Sequence, residues 1–378
     1  MIRSLNVKAL SDAMDRAGLN AAGLSAKLDV SREAVSKWVN GESIPKPDKL
    51  LRMGTILGLS FNALVIAAVA EAVPVGSFRQ KSARKTRDVH LNHARDTGEL
   101  LKRLVKYLPE ARLTQAPVLK EPRADYVYVQ QVAEEVRKRM CVATHQPITL
   151  AHLIAEVERL QAIIIPVLWG EQEHHGNALN IHLPDSSTTW VFLNLDSNDQ
   201  DFLFWTAHEL GHSLAPKLGG EDGENFAEAF AEALLFPESH AKQAHAALAL
   251  LPTVNQRVDA IFSLARKAVI SPYTVWKALK AYETASNQPQ LEVGSARTLM
   301  TAVTQMNHSG KTVARSMFSS IPPTPAAYAA AGRKEFNSPF FDALAAFCKA
   351  ESGAEHFIHQ VLGLSLVDSK ALAEVLAK

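Results

Sequence analysis

His208, Glu209 and His212 are the residues of this sequence best placed to do chemistry. They sit in Trp205-Thr206-Ala207-His208-Glu209-Leu210-Gly211-His212-Ser213-Leu214, which contains the pattern H-E-x-x-H. Histidines at i and i+4 stand on one face of a helix, about one turn apart, and their imidazoles can grip one Zn²⁺. The glutamate beside the first histidine is then placed to take a proton from water at the metal. Two neutral imidazoles and one carboxylate leave a fourth position open, as a catalytic zinc requires. The pattern fixes only three positions, so its surroundings carry weight. An aromatic and apolar run precedes it, as a buried helix requires. A second acidic amphipathic stretch, residues 224–237, follows and can supply a third ligand.

The elements that must position these residues can be read from periodicity. Residues 201–214 form the motif helix, and residues 128–140 and 150–161 read as amphipathic helices upstream of it. The β-branched run 162–168 is a strand that Pro166 demotes toward a sheet edge. Residues 178–183 and 189–193 alternate and flank Pro184-Asp185-Ser186-Ser187, which predicts a hairpin. Backbone around residues 177–181 could hold an extended substrate by β-augmentation. His174 and His175 are the candidate donors to a polarised carbonyl, with two exposed loop histidines as the alternative.

This order of elements is an α+β arrangement similar to gluzincin-type peptidases, and its residues resemble the ImmA/IrrE family of metallopeptidases. The resemblance runs over residues 126–237. It rests on the strand-and-hairpin block, on Val191-Phe192-Leu193-Asn194, on the motif, and on Phe230-Ala231-Glu232-Ala233-Leu234-Leu235-Phe236-Pro237. It implies zinc held by His208, His212 and Glu224, with Glu209 as the catalytic acid and base. In that family an asparagine stands four residues after the third ligand. Here the position is Glu228, which could orient a ligand histidine from behind or replace Glu224; Glu221 is a further candidate.

The N-terminal residues divide into short helical patterns at 5–16, 21–28, 31–39 and 48–57, punctuated by Gly18, Asp29-Val30, Asn40-Gly41, Pro45 and Pro47. Ser31 is a good N-cap for the third. There Ala34, Val35 and Trp38 would pack inward, while Arg32, Glu33, Ser36 and Lys37 face out, so that Arg32 and Ser36 can meet base edges in a major groove. Lys49 and Arg52 could reach phosphates. The run from Leu24 to Gly41, with Pro45 and the helix after it, resembles the lambda-repressor-like (XRE) helix-turn-helix family. That family often opens its second helix with glutamine, where this chain has Ala21. A four-helix module that binds protein is the alternative.

Composition bounds the rest. The chain has 378 residues, 47% hydrophobic and 21% charged, which fits a folded protein of two or three domains. A net charge of +1 leaves any taste for nucleic acid to local patches. No apolar run is long enough to span a membrane; residues 59–73 read as a buried helix. The absence of a signal-like start points to the cytoplasm. Cys141 and Cys348 make no disulfide framework. The fold expected is multidomain and mainly α with a small sheet. It comprises an all-α helix-turn-helix domain at 1–72, a basic linker at 73–125, a gluzincin-like α+β metallopeptidase domain at 126–245 and a helical region at 246–378. The linker's cations would be solvated or would add phosphate contacts. The two resemblances together imply a regulator that binds a double-stranded DNA operator, as a homodimer, and that cleaves a repressor or partner protein. A non-catalytic antitoxin or repressor, its zinc domain gripping a cognate toxin or sensing a partner, is the alternative.

Overall fold

A computed structural model of the chain describes residues 3–40, 43, 45–59, 64–67, 75–77, 84–113, 117–170, 177–293 and 311–378. The chain divides into two compact units, Met1–Val73 and Pro74–Lys378. Among the described residues no helix is long and apolar enough to cross a membrane.

The first unit holds α1 (Val7–Arg16), α2 (Ala21–Leu28), α3 (Arg32–Val39) and α4 (Pro47–Leu57). Side chains begin the first three. Asn6 accepts from Ala9 N, Asn20 from Gly23 N at 2.8 Å and Ser31 Oγ from Ala34 N at 3.1 Å, each satisfying an orphan donor of a first turn. Leu10, Leu24, Leu28, Val35, Trp38 and Met53 bury the apolar faces in one cluster. Two short strands, β1 (Arg3–Leu5) and β2 (Val65–Ala67), pair antiparallel with Leu5 opposite Val65. Of the helix read over residues 59–73, Val65–Ala67 form a strand instead.

The second unit is built on a four-stranded sheet. Its strands are β3 (Val75–Ser77), β4 (Ile163–Val167), β5 (Ala178–Leu183) and β6 (Thr188–Asn194), in the order β3-β5-β6-β4. Only β4 and β6 are parallel. The β5–β6 hairpin turns tightly after Leu183, with Ser187 in the left-handed region. Alternate residues feed two cores, as the pleat dictates. Ile164, Ala178, Val191 and Leu193 face one layer; Ile163, Ile165, Leu179, Ile181, Trp190 and Phe192 face the other.

Against the second of these faces pack α5 (Arg84–Val105) and four later helices. In chain order the remaining α-helices among the described residues are α6 (Tyr126–Arg139), α7 (Leu150–Arg159), α8 (Asp199–Leu214), α9 (Gly220–Leu235), α10 (Glu238–Ala249), α11 (Val254–Ala268), α12 (Pro272–Ala285), α13 (Val313–Met317), α14 (Pro325–Lys334), α15 (Phe340–Ala350), α16 (Ala354–Leu362) and α17 (Leu366–Leu376). The layer of α6 to α12 carries the H-E-x-x-H motif; α14 to α17 join α5 on the far side. Pro166 does lie in an edge strand. The outer edge of β4 is capped by the Tyr328 hydroxyl, which donates to Pro166 O, and by Ser338 Oγ, which donates to Ile164 O, both at 2.5 Å.

Residues 73–125 therefore hold more than a connector. They give the sheet its β3 edge and α5. Lys102 of α5 pairs with Glu99 at 2.8 Å and Asp185 at 3.5 Å, and Lys106 with Glu351 at 2.7 Å.

Candidate functional site

α8 begins at Asn198, whose side chain accepts from Asp201 N, and runs almost wholly buried from Thr206 to Leu214. It lies against α9 on one side and β5 on the other. The side-chain amide of Asn180, on β5, donates to Glu209 O at 3.2 Å and Ser213 Oγ at 3.1 Å, which fixes the helix to the sheet. Gly211 lets α9 come close. A Cβ there would stand 2.9 Å from Ala227 Cα.

These contacts bring His208, His212 and Glu224 together, with their ligand atoms all within 4.8 Å of one another. The two Nε2 atoms are 3.1 Å apart. Glu224 oxygens lie 3.5 Å from His208 Nε2 and 3.5 Å from His212 Nε2. Ligands at zinc distances on a tetrahedron are separated by roughly 3.3 Å. Each Nε2 faces its own Glu224 oxygen, so the triangle of one donor atom per residue spans up to 4.8 Å, and its two nitrogens and carboxylate are the donor types that ion takes. Burial, and then the neighbouring His208, push His212 down to about 3, against the pull of Glu224. Its imidazole is thus neutral near pH 7, the form that binds a metal. The ring of Trp205 meets His208 edge-on at 5.2 Å.

Glu209 is 2% exposed, and its Oε2 accepts no hydrogen bond among the described residues. Burial, and then Glu224, raise its carboxyl well above the ordinary carboxylate range. Glu228 stands apart from the donor triangle. Its Oε2 is 3.8 Å from His208 Nδ1, the ring nitrogen that does not face His212. Its other oxygen meets Lys277 Nζ of α12 at 2.6 Å, and Lys277 also pairs with Glu232. This places Glu228 behind the histidine. Glu221 is exposed and outside the cluster. Sequence reasoning missed Lys277, which a lone lysine in an amphipathic helix does not announce. His174 and His175 lie outside the described residues, as does Gly41.

In the first unit α2 and α3 are joined by a turn with Asp29 in the left-handed conformation, the helix-turn-helix connection. Arg32, Glu33, Ser36 and Lys37 are exposed on α3, while Val35 and Trp38 are buried. Ser31 is exposed as well and caps the helix. Glu33 and Lys37 pair at 3.0 Å across one turn, an exposed contact that is readily given up. Lys49 is committed inside the unit. It donates to Leu28 O at 2.9 Å, which holds α4 to the end of α2. Arg52 is exposed.

Residues 10–64 match the helix-turn-helix family model, so the N-terminal unit contains a helix-turn-helix domain. The chain is also similar to the 26 kDa repressor protein of Escherichia phage HK022, at 45% identity over 53 residues. That stretch is 13% of this chain and spans 23% of the phage repressor's length. No solved structure gives a significant match to the chain.

Proposed function

We propose that this chain is a DNA-binding transcriptional regulator whose larger unit is a zinc-dependent endopeptidase of ImmA/IrrE, gluzincin-like type. The observation that carries the reading is the convergence of His208 and His212, on the helix that also bears Glu209, with Glu224 of α9: the Nε2 atoms are 3.1 Å apart, and each lies 3.5 Å from a different Glu224 oxygen. Those three residues would hold the ion. Bound zinc supplies a Lewis acid for a peptide carbonyl and makes water acidic near neutral pH. Glu209, beside the ligand His208, takes the proton of the attacking water and returns it to the leaving amine. The peptide bond is thereby split into a carboxylic acid and an amine. Glu228, held by Lys277, keeps the His208 ring in place from its Nδ1 side.

The helix-turn-helix domain lays α3 in the major groove of an operator, with Arg32 and Ser36 at base edges and Ser31, Glu33 and Lys37 around them. Paired half-sites call for a homodimer, and a DNA target places the protein in the cytoplasm. The substrate is a repressor or partner protein.

A second reading makes the chain an antitoxin or repressor of a toxin–antitoxin or phage-defence system, with a zinc domain that binds or senses protein and cleaves nothing. Burial favours it, since His208, Glu209 and His212 are 1%, 2% and 4% exposed. One comparison separates the two. The purified chain should contain zinc, lost in His208→Ala and kept in Glu209→Gln. In cells Glu209→Gln should abolish both cleavage of the partner protein and regulation. Normal regulation in Glu209→Gln would leave the binding module as the function.

A further inference from the structure

β3 comes from residues that directly follow the first unit in sequence, yet it forms an outer strand of the sheet, paired with β5. Its register sets Val75 opposite His182, Gly76 opposite Ile181 and Ser77 opposite Asn180. Asn180 is the residue that ties β5 to Glu209 and Ser213 of the motif helix. β3 also lies against α9, which carries Glu224. It therefore fills the angle between the β5 edge and the ligand-bearing helix. An extended polypeptide would add to β5 along that same edge.

We infer that residues 75–77 are an intramolecular occupant of a polypeptide-binding edge, and that this strand must leave β5 before another chain can enter. The inference rests on reading the centre as one that handles polypeptide. The strand is built to leave. Gly76, between Val75 and Ser77, offers no side chain to pack and weakens the strand. Its departure accounts for how so buried a centre could meet a protein.

The test uses the full chain carrying Glu209→Gln, so that no peptide is consumed. In an antiparallel pair alternate residues direct both N–H and C=O at the neighbour. Gly76→Pro with Ser77→Pro thus removes a donor to β5 whichever of the two faces it. Hydrogen exchange across residues 178–183 should quicken at least about tenfold in this variant. A labelled synthetic peptide of residues 72–80 should bind it at least about tenfold more tightly than it binds the parent. A second variant guards against a folding defect. Val75→Cys with His182→Cys, opposite each other in register, should bind the peptide at least about tenfold more weakly when oxidised than when reduced. Equal exchange in parent and variant, or peptide binding that is equal or absent in both, overturns the inference. Neither readout needs hydrolysis, so a protein that cleaves nothing would sink the peptidase reading alone.

Discussion

Glu224, Glu228 and Glu232 follow one another at one-turn intervals on α9, so a single helix face sets three acids against α8 and α12. Lys277 is what lets them coexist, because its ammonium lies between Glu228 and Glu232. Lys277→Met keeps the stem and deletes the charge. Glu228 then loses its anchor, and its hold on His208 Nδ1 slackens. Zinc affinity, read by competition with a chromogenic chelator, should fall about 10- to 100-fold, with Lys277→Arg recovering most of it. Unchanged affinity in Lys277→Met would show that Glu228 orients nothing. His208, Glu209 and His212 were legible in sequence because one helical turn relates them and helix geometry fixes their common face. The choice between Glu224 and Glu228 was not. Both lie on the same face, and only the placement of α9 beside α8 decides which one meets the Nε2 atoms. Lys277 left no local trace, since its partner Glu228 is 49 positions away.

Gly211 sits between the two histidines, where α8 and α9 are closest, and a Cβ there would also stand 3.1 Å from Phe230 Cδ1. In an ordinary helix interior Gly→Ala stabilises by about 1 kcal/mol. Here the alanine methyl would meet backbone, and prising two packed helices apart costs roughly 1–3 kcal/mol. Gly211→Ala should therefore lower the melting temperature of the chain in chelator, where no metal contributes, and should also weaken zinc binding as Glu224 moves off with α9. A higher melting temperature would refute so close a helix contact. At this scale elements with a clear cap or period were readable, whereas β2, β3 and even the 22-residue α5, hidden in a basic run, were not. α3 declares itself through its Ser31 cap, and the β5–β6 hairpin through alternation on both sides of a turn. β2 and β3 have three residues each, too few for a period, and they exist because a partner strand completes their hydrogen bonds. Arg137 is a parallel case. Its buried guanidinium donates to Leu234 O at 2.7 Å and so fastens α6 to the end of α9, a bond that no pattern in α6 foretells.

A net charge of +1 gives the molecule no strong overall field, so its attraction for a polyanion must come from local cations. The basic run on α5 offers itself in sequence, but a charge run reads the same whether its partners are phosphates or carboxylates far along the chain. The structure gives several of these cations internal partners. Lys102 is held by Glu99 and Asp185, Lys106 by Glu351, and the Arg103 guanidinium lies 4.9 Å from the centre of the Phe347 ring. Lys49, too, is bonded to Leu28 O. Arg32, Lys37 and Arg52 are exposed cations of the helix-turn-helix unit that can serve DNA. If Lys37 and Arg52 of each of two protomers neutralise one phosphate apiece, log affinity should fall against log salt with a slope of roughly −4. Fluorescence anisotropy with an operator duplex, across roughly 50–200 mM salt, measures it. Arg32→Ala should weaken specific binding about ten- to a hundredfold, as the loss of a base contact does. Lys102→Gln with Lys106→Gln should leave both slope and affinity within about twofold, since exposed pairs of this kind contribute little beyond their own contacts. A slope made shallower by the lysine pair would place α5 on the duplex, and the DNA-binding surface would then have to extend beyond the helix-turn-helix domain.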